Sequence, residues 1–484
     1  MRYLALFVCL AGSLIILPAQ TSWTTTLDGM GSFSSPRVAD LNADGILDIV
    51  LGAGREEFQA CDSAVIALDG ATGKMLWHVA ARDQMFGSAI FADINRDGTP
   101  DALISGRSAE LIAINGRSGK VIWRYNAGNS KEKRREAGWF NFYNPQWVPD
   151  QDGDGQEDIL VSNGGDVIAE PYDPNRKPGH LVVLSGQTGK VLARTIMPDG
   201  KEIYMSVTAC PSADGRDWDI LFGTGGETLG GHLYLGKLSQ VMAGDLSAAI
   251  VLDSSETRGY IGPAARADVT GDGFSDIIVN TVNGRMLAYD GKTLQRLWEV
   301  KRPGTETYSS ITVGRFTRYT VPDFFASYAS GTWPNLEWSS QFMVDGPRGI
   351  LQFVDSLGFY QNSTGVAADW DGDGYDEILF SVNFQQVNEI FMKFFYNMLV
   401  IIDFQGNTIE QIGEAFEGQN LSSTPWIGDL DNDGFFDILY CHGDNLRHTY
   451  TFDGFKVRRI ATQVPVTRPV RWGAYQGSNY TGNY

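Results

Sequence analysis

Short apolar runs with alternating polar positions recur along this chain, each ended by a polar interval rich in Asp and Gly. The runs SSPRVAD, DIVLGAG, AVIALDG and KMLWHVA follow one another between Ser34 and Ala80. Alternation of period two over such lengths predicts strands, and the short turns between them predict antiparallel pairing. A second quartet repeats the order as AIFAD, DALISG, ELIAING and KVIWRYN. DILVSNG, HLVVLSG and KVLARTI continue it, as do DIIVNTV, MLAYDG and LQRLWEV. Repetition of one four-stranded unit predicts an all-β repeat architecture in which neighbouring sheets bury each other.

The interval between the first two strands of a unit is itself a repeat. DLNADGILD, DINRDGTPD, DQDGDGQED, DVTGDGFSD, DWDGDGYDE and DLDNDGFFD share nine positions. Position 1 is Asp40, Asp93, Asp150, Asp268, Asp369 or Asp429. Position 3 is Asn42, Asn95, Asp152, Thr270, Asp371 or Asp431, and position 5 is Asp44, Asp97, Asp154, Asp272, Asp373 or Asp433. Position 9 is Asp48, Asp101, Asp158, Asp276, Glu377 or Asp437. Side-chain oxygens at 1, 3, 5 and 9 can converge on one hard cation, and glycine at position 6 permits the sharp turn that brings them together. The carbonyl of position 7 adds an oxygen from Ile46, Thr99, Gln156, Phe274, Tyr375 or Phe435. An all-oxygen set suits Ca²⁺ better than a transition metal. One Asp-Gly pair would be an ordinary turn; six copies, each followed by a strand-like run, point to about six Ca²⁺ sites. An EF-hand is excluded, because its last acid falls at position 12 between helices.

Two gaps between loops, Asp150 to Asp268 and Asp268 to Asp369, are about twice the usual period. Each contains a strand–turn–strand outline with an acid at the ninth place, Asp219 or Asp323, and lacks the earlier acids. These are expected to be blades without Ca²⁺. The sequence therefore predicts an eight-bladed β-propeller of four-stranded antiparallel blades in residues 21–484. Units are expected to start near Ser35, Gly87, Asn144, Tyr204, Gly262, Tyr308, Ser363 and Ser422.

The loops resemble the FG-GAP (VCBS-like) repeats of integrin alpha-type propellers, also present in many bacterial surface proteins. That resemblance covers most of the chain and implies a propeller with Ca²⁺ in the first hairpin of most blades. LDGATGKMLW, INGRSGKVIW and YDGKTLQRLW resemble the tryptophan-docking motif of PQQ-like propellers, which makes Trp77, Trp123 and Trp298 docking residues. Ala193 holds the equivalent place in the third unit. Two segments compete to close the ring. SWTTTLDGMGS, with Trp23, resembles an outer strand, whereas the last unit carries KVRRIAT as a fourth strand of its own. The tail VRWGAYQGSNYTGNY resembles the terminal segment of PQQ-like propellers.

Composition then changes the picture in three ways. The net charge is −20, and 21 of the acids are loop ligands, so six divalent ions would bring it to −8. An acidic chain without a basic run argues against nucleic acid; the short cluster Lys131 to Arg135 reads as a solvated loop. Arg2, the apolar run Leu4 to Leu17 and small Ala19 read as a signal peptide over residues 1–20. With no second long apolar stretch, the mature chain is expected to lack a transmembrane segment and to be secreted, periplasmic or at the cell surface. Beyond Cys9, the three remaining cysteines, Cys61, Cys210 and Cys441, form no disulfide framework and no CxxC.

Catalytic chemistry is missing from the motifs. There is no Ser-His-Asp signature, P-loop or dinucleotide fingerprint, and the glycine-rich GTGGETLGG follows a strand of a degenerate unit. The five histidines show no metal spacing; His442 and His448 are expected at the surface. Three stretches depart from the repeat: Gly128 to Trp147, the blade-six run FFASYASGTWPNLEW, and the blade-seven run NFQQVNEIFMKFFYNMLVIID, whose early part reads as a short helix. Insertions on one face are where propellers usually bind. The expected function is a Ca²⁺-binding propeller that holds a protein or glycan ligand. The alternatives are a polysaccharide-degrading enzyme, since eight-bladed propellers with similar loops occur in rhamnogalacturonan lyases, and a PQQ-dependent dehydrogenase.

Overall fold

Each alternating quartet closes into one antiparallel sheet, and eight sheets follow one another along the chain. The computed structural model describes residues 21–126, 128–359, 363–387, 392–447 and 451–484; the expected signal segment and Cys9 lie outside them. The inner strands are Arg37–Ala39, Ile90–Ala92, Gln146–Val148, Thr208–Pro211, Ala265–Ala267, Thr312–Gly314, Val366–Ala368 and Trp426–Gly428. The second strands, such as Asp48–Gly52, Asp101–Ser105 and Asp276–Thr281, are buried at every residue. The apolar run that follows the ninth-position acid in each reflects this, because blades pack on both of their faces. Outer strands such as Met75–Ala81 alternate instead, with one face toward water. In blades one, two, three, five and six the pairing of third and outer strand slips by one residue at the same place, for example between Ala67 and Leu68 and between Ala288 and Tyr289, and in blade four it slips two residues earlier, between Leu233 and Tyr234. A bulge there adds local twist.

Tryptophans tie neighbouring outer edges together. The indole N–H of Trp23, Trp77, Trp123 and Trp298 donates to the carbonyl of Gly70, Gly116, Gly186 and Gly346 in the next blade, at 2.6–3.0 Å. The rings lie on Gly73, Gly119, Gly189 and Gly349, whose φ values are +67° to +69°. A Cβ there would sit 2.4–2.6 Å from the indole, so both the turn and the contact demand glycine. Blade three, which has Ala193 in the Trp place, is covered instead by the helix Leu238–Met242; Thr195 Oγ1 donates to the Val241 carbonyl at 2.9 Å.

The ring is closed by the N-terminal strand. Trp23–Asp28 pairs antiparallel with Gly454–Pro465 and is the outer strand of blade eight. KVRRIAT is therefore the third strand of that blade, not its fourth: the last unit runs into one 12-residue strand that leaves its edge open. The C-terminal tail takes the other route, along the channel. Its residues bond to inner strands of six blades, through Val38, Gln146, Ala209, Arg266, Ala367 and Ile427. Arg37, fully buried, stacks on Tyr480 of the tail at 3.8 Å.

At the opposite end of the channel, the residue two places before each inner strand builds a belt. The backbone N–H of Thr424 donates to Ser35 Oγ, that of Ser35 to Ser88 Oγ, that of Ser88 to Asn144 Oδ1 and that of Asn144 to Ser206 Oγ, at 2.7–3.2 Å. Ser310 donates to Thr364 in the same way. Pro263 occupies the place in blade five, with neither an N–H nor a side-chain oxygen, and the belt breaks there.

The three stretches that depart from the repeat all emerge on the belt side, because they join strands at the end away from the Asp-Gly loops. The basic cluster is not a solvated loop but the helix Lys131–Glu136, capped by Ser130. Arg134 is buried against Glu110 at 3.2 Å, and Lys131 meets Asp83 at 3.0 Å, so the helix is drawn onto the ring by buried acids. The blade-seven insertion forms no helix among the described residues. It lengthens the hairpin of Glu377–Val387 and Lys393–Asp403, where Phe384 stacks on Tyr396 across the strands at 5.6 Å. His442 is buried beneath Phe416 at 5.2 Å, not exposed; His448 lies outside the described residues. Cys441 is buried, Cys61 and Cys210 are half-buried, and all three are free thiols.

Candidate metal centres

In every intact loop the backbone turns through two left-handed residues. Position 6 is Gly45, Gly98, Gly155, Gly273, Gly374 or Gly434, with φ between +83° and +93°. Position 4, unremarked in the sequence pattern, is Ala43, Arg96, Gly153, Gly271, Gly372 or Asn432, also at positive φ. Three of these six are glycine and one is asparagine, and that bias is the signal that would have revealed the second turn.

The tight turn aims backbone N–H groups inward, and the acids receive them. The carboxylate of position 1 accepts from the N–H of position 6 in all six loops, at 2.8–3.4 Å. Position 5 accepts from position 7 at 2.8–3.0 Å. One oxygen of position 9 accepts from the N–H of position 2 at 2.6–3.0 Å. In blades one, two, three and five its other oxygen accepts from a glycine N–H after the third strand: Gly70, Gly116, Gly186 or Gly291. The ninth acid thus locks the first hairpin to the second, and blade six keeps the lock, with Asp323 accepting from Phe316 and Gly346.

Burial divides these acids electrostatically. Asp48 and Asp158 are pushed up to about 6 by burial, and Asp101, Asp276 and Asp437 are raised for the same reason. Glu377 is pushed up to about 8, by burial first, and its Oε1 has no hydrogen-bond partner. Asp150, at the open rim, is lowered by the backbone N–H groups of Gly155 and Gly153. A buried carboxylate beside other carboxylates favours the arrival of a cation.

Oxygens of positions 1, 3 and 9 converge in three loops. Asp150, Asp152 and Asp158 bring one oxygen each within 4.8 Å of one another, as do Asp369, Asp371 and Glu377, and Asp429, Asp431 and Asp437. These are the loops with an acid at position 3; Asn42, Asn95 and Thr270 supply a neutral oxygen in the others. Carbonyls of position 7 belong to Ile46, Thr99, Gln156, Phe274, Tyr375 and Phe435, each held by its own N–H bond to position 5.

Positive side chains distinguish the blades. In blade eight Arg459 pairs with Asp431 and Asp437. In blade seven Arg468, from the tail, meets Asp369 at 3.0 Å and the neighbouring Asp376 at 2.7 Å. In blade four the lone Asp219 is gripped by the Lys237 ammonium, with Arg266 at 3.8 Å. Among the described residues no lysine or arginine pairs with the loop acids of blades one, two, three and five. None of these cations was visible in the loop pattern, because each comes from another strand or from the tail.

Comparison with known proteins agrees with the architecture. The FAM234A/B beta-propeller family matches residues 23–222. Protein FAM234B of Gallus gallus is 25% identical over 180 residues, 35% of this chain and 27% of that protein. Protein FAM234A of Homo sapiens is 25% identical over 208 residues, 39% of this chain and 36% of that protein. The chain thus matches about a third of the length of these relatives. Among solved structures, a europium-containing methanol dehydrogenase superposes with a TM-score of 0.59 at 12% identity, over 90% of this chain and 92% of that one. At that identity the likeness is one of fold.

Proposed function

We propose that the protein is a Ca²⁺-stabilised propeller, secreted or displayed at a cell surface, that binds a protein or glycan ligand on the belt side of the ring. The observation that carries the metal reading is the contrast between loops. In blade four, where the early acids are missing, a side-chain ammonium sits on the ninth acid, and in blade six hydrogen bonds alone satisfy it. Where the early acids are present, as in blades one, two, three and five, the acids have no such partner among the described residues, and in blade three the oxygens of Asp150, Asp152 and Asp158 lie within 4.8 Å of one another, an arrangement that suits a hard cation. Asp150, Asp152, Asp154 and Asp158, with the Gln156 carbonyl, would hold the ion in blade three. The corresponding sets are Asp40, Asn42, Asp44 and Asp48; Asp93, Asn95, Asp97 and Asp101; and Asp268, Thr270, Asp272 and Asp276. Bound Ca²⁺ would supply charge and cross-linking there, fixing the first hairpin of each blade. The FG-GAP-like loops and PQQ-like docking motifs are read on the same basis, as devices of blade assembly.

The ligand-binding half of the reading is supported by the placing of every insertion on the side away from the metal loops. Among the described residues no helix is long and apolar enough to cross a membrane. A glycan array and capture from defined surface-protein libraries, each run with Ca²⁺ and with chelator, test it. Saturable, Ca²⁺-dependent retention of one ligand class is expected; release of unsaturated sugar ends from pectic polymers would favour the lyase alternative instead.

A further inference from the structure

The belt is the floor of a cavity of about 800 Å³ at the channel mouth, closed from below by Tyr475 of the tail. Its walls are aromatic, including Tyr143, Tyr204, Tyr308 and Trp333, the last on the blade-six hairpin. Its charged lining residues are all acids, and no lysine or arginine lines it among the described residues.

Five glutamates lie at or beside this mouth; Glu56 is exposed to solvent, and three of the other four already have a cation. Glu57 pairs with Arg107 at 2.7 Å, Glu202 with Arg176 at 2.9 Å and Glu306 with Arg258 at 3.2 Å. Each of these arginines also holds a second group. Arg107 stacks over Phe86 at 4.8 Å, Arg176 donates to the Tyr204 hydroxyl at 3.1 Å, and Arg258 donates to the backbone carbonyl of Glu227. The fourth, Glu227, lines the cavity half-buried, and its carboxylate has no hydrogen bond or ion pair among the described residues. Arg258 bonds its main chain and spends its charge on Glu306, and Arg107, whose charge reaches it, is paired with Glu57. A half-buried carboxylate beside three others is held above its ordinary range, first by burial and then by Glu57, Glu306 and Glu202. It is a place where an external cation gains more than it would at an open surface.

We propose that this cavity binds an organic cation, an amine or guanidinium carried on an apolar stem, with Glu227 as its counter-charge and the aromatic walls as its faces. Rings such as Tyr308 and Trp333 attract a cation through their negative faces. The stem lies against the same rings, and the cation completes the pairing that the other three glutamates make internally. This rests on the binding-module reading above and names the chemistry that the belt side recognises. Two sources carry this chemistry: a free small amine, or a lysine or arginine side chain of a protein ligand.

The test is calorimetric titration of the full Ca²⁺-loaded protein with 1,5-diaminopentane, with Nα-acetyl-arginine amide and with the neutral isostere Nα-acetyl-citrulline amide. One or both cations are expected to saturate the protein at one site, and the tighter of the two identifies the source. Citrulline amide is expected not to saturate. Glu227→Gln should weaken the cation about tenfold, since it removes a charge-assisted contact, and Trp333→Ala about fivefold. Melting temperature reports whether each variant is folded. Trp333 sits on a hairpin tip outside the core, so its variant remains informative if Glu227→Gln is unstable. Equal binding of citrulline amide, no binding of either cation, or full affinity in folded Glu227→Gln overturns the cation proposal. A positive glycan or protein capture would still stand in that case, so the two readings fail separately.

Discussion

In blade three, Asp150, Asp152 and Asp158 turn oxygens toward one another and no side-chain cation joins them. In blade four the same corner holds Asp219 alone, gripped by Lys237 and Arg266. The strands on either side are alike: the two blades are neighbours whose four main strands follow the same order, blade three adding only the short strand Asn141–Phe142. What differs is the source of the positive charge that a buried acid requires. Blade four carries its cation in the chain, and on the proposed reading blade three leaves the place to an ion from solution. Blade eight stands between them, with a full loop and Arg459 already on two of its acids.

The largest expected effect follows from removing metal altogether. Each occupied site stabilises the fold by about 2.7 kcal/mol at a hundredfold excess of Ca²⁺ over Kd. Chelator should therefore lower the melting temperature by many degrees, and re-added Ca²⁺ should restore it. An unchanged melting curve would break the contrast at once.

Blade six sharpens it next, because Asp323 has neither a metal loop nor an ammonium, and burial pushes it up to about 6. The folded state then binds the proton more tightly than the unfolded chain does. Its charged form costs stability above about pH 6, and that cost is relieved as pH falls from about 6 toward about 4. In chelator, Asp323→Asn should remove up to about 2–3 kcal/mol of this rise relative to the unmutated protein. Parallel pH profiles of the two proteins would contradict the assignment.

Much of this was legible in the residues. The nine-residue spacing marked six loops, and the ninth-place acids marked the two degenerate blades, because each still has a metal-free partner: Asp323 keeps the lock to the second hairpin, and Asp219 holds the Ser212 hydroxyl and the Lys237 ammonium. Trp77, Trp123 and Trp298 declared their docking through the glycine turns they meet. The partners that decide charge were hidden, since they lie far away in sequence. Arg468 reaches back to the blade-seven loop from the tail, and Lys237 reaches Asp219 across the second hairpin. Ring closure was ambiguous for a related reason: Trp23–Asp28 and KVRRIAT read alike as strands, and only three-dimensional adjacency decides which takes the outer edge. Lys131–Glu136 was misread because a helix this short owes its order to Glu110 and Asp83, not to its own propensity.

Smaller effects separate the built-in cations. Lys237→Met should cost about 1–2 kcal/mol, less than a fully buried pair because the lysine is partly exposed, and it should add no bound metal, since blade four lacks the early acids. Chemical denaturation with metal analysis checks both. A gain of one ion would show that Asp219 can recruit metal unaided. Arg459→Gln should have the smallest effect on stability in saturating Ca²⁺, because an ion can take over the charge that the guanidinium supplied. In chelator it should be the less stable protein. Equal chelator sensitivity in variant and unmutated protein would place blade eight outside the metal scheme.

The central claim is that ions go where the chain supplies acids without a cation. Its most direct test is the number of Ca²⁺ ions retained by the purified protein and by Asp152→Ala and Asp219→Ala, measured by native mass spectrometry. Asp152→Ala should retain one ion fewer, because position 3 is a direct ligand in blade three, and Asp219→Ala should retain the full number. An undiminished count in Asp152→Ala, or the loss of an ion in Asp219→Ala, would contradict it.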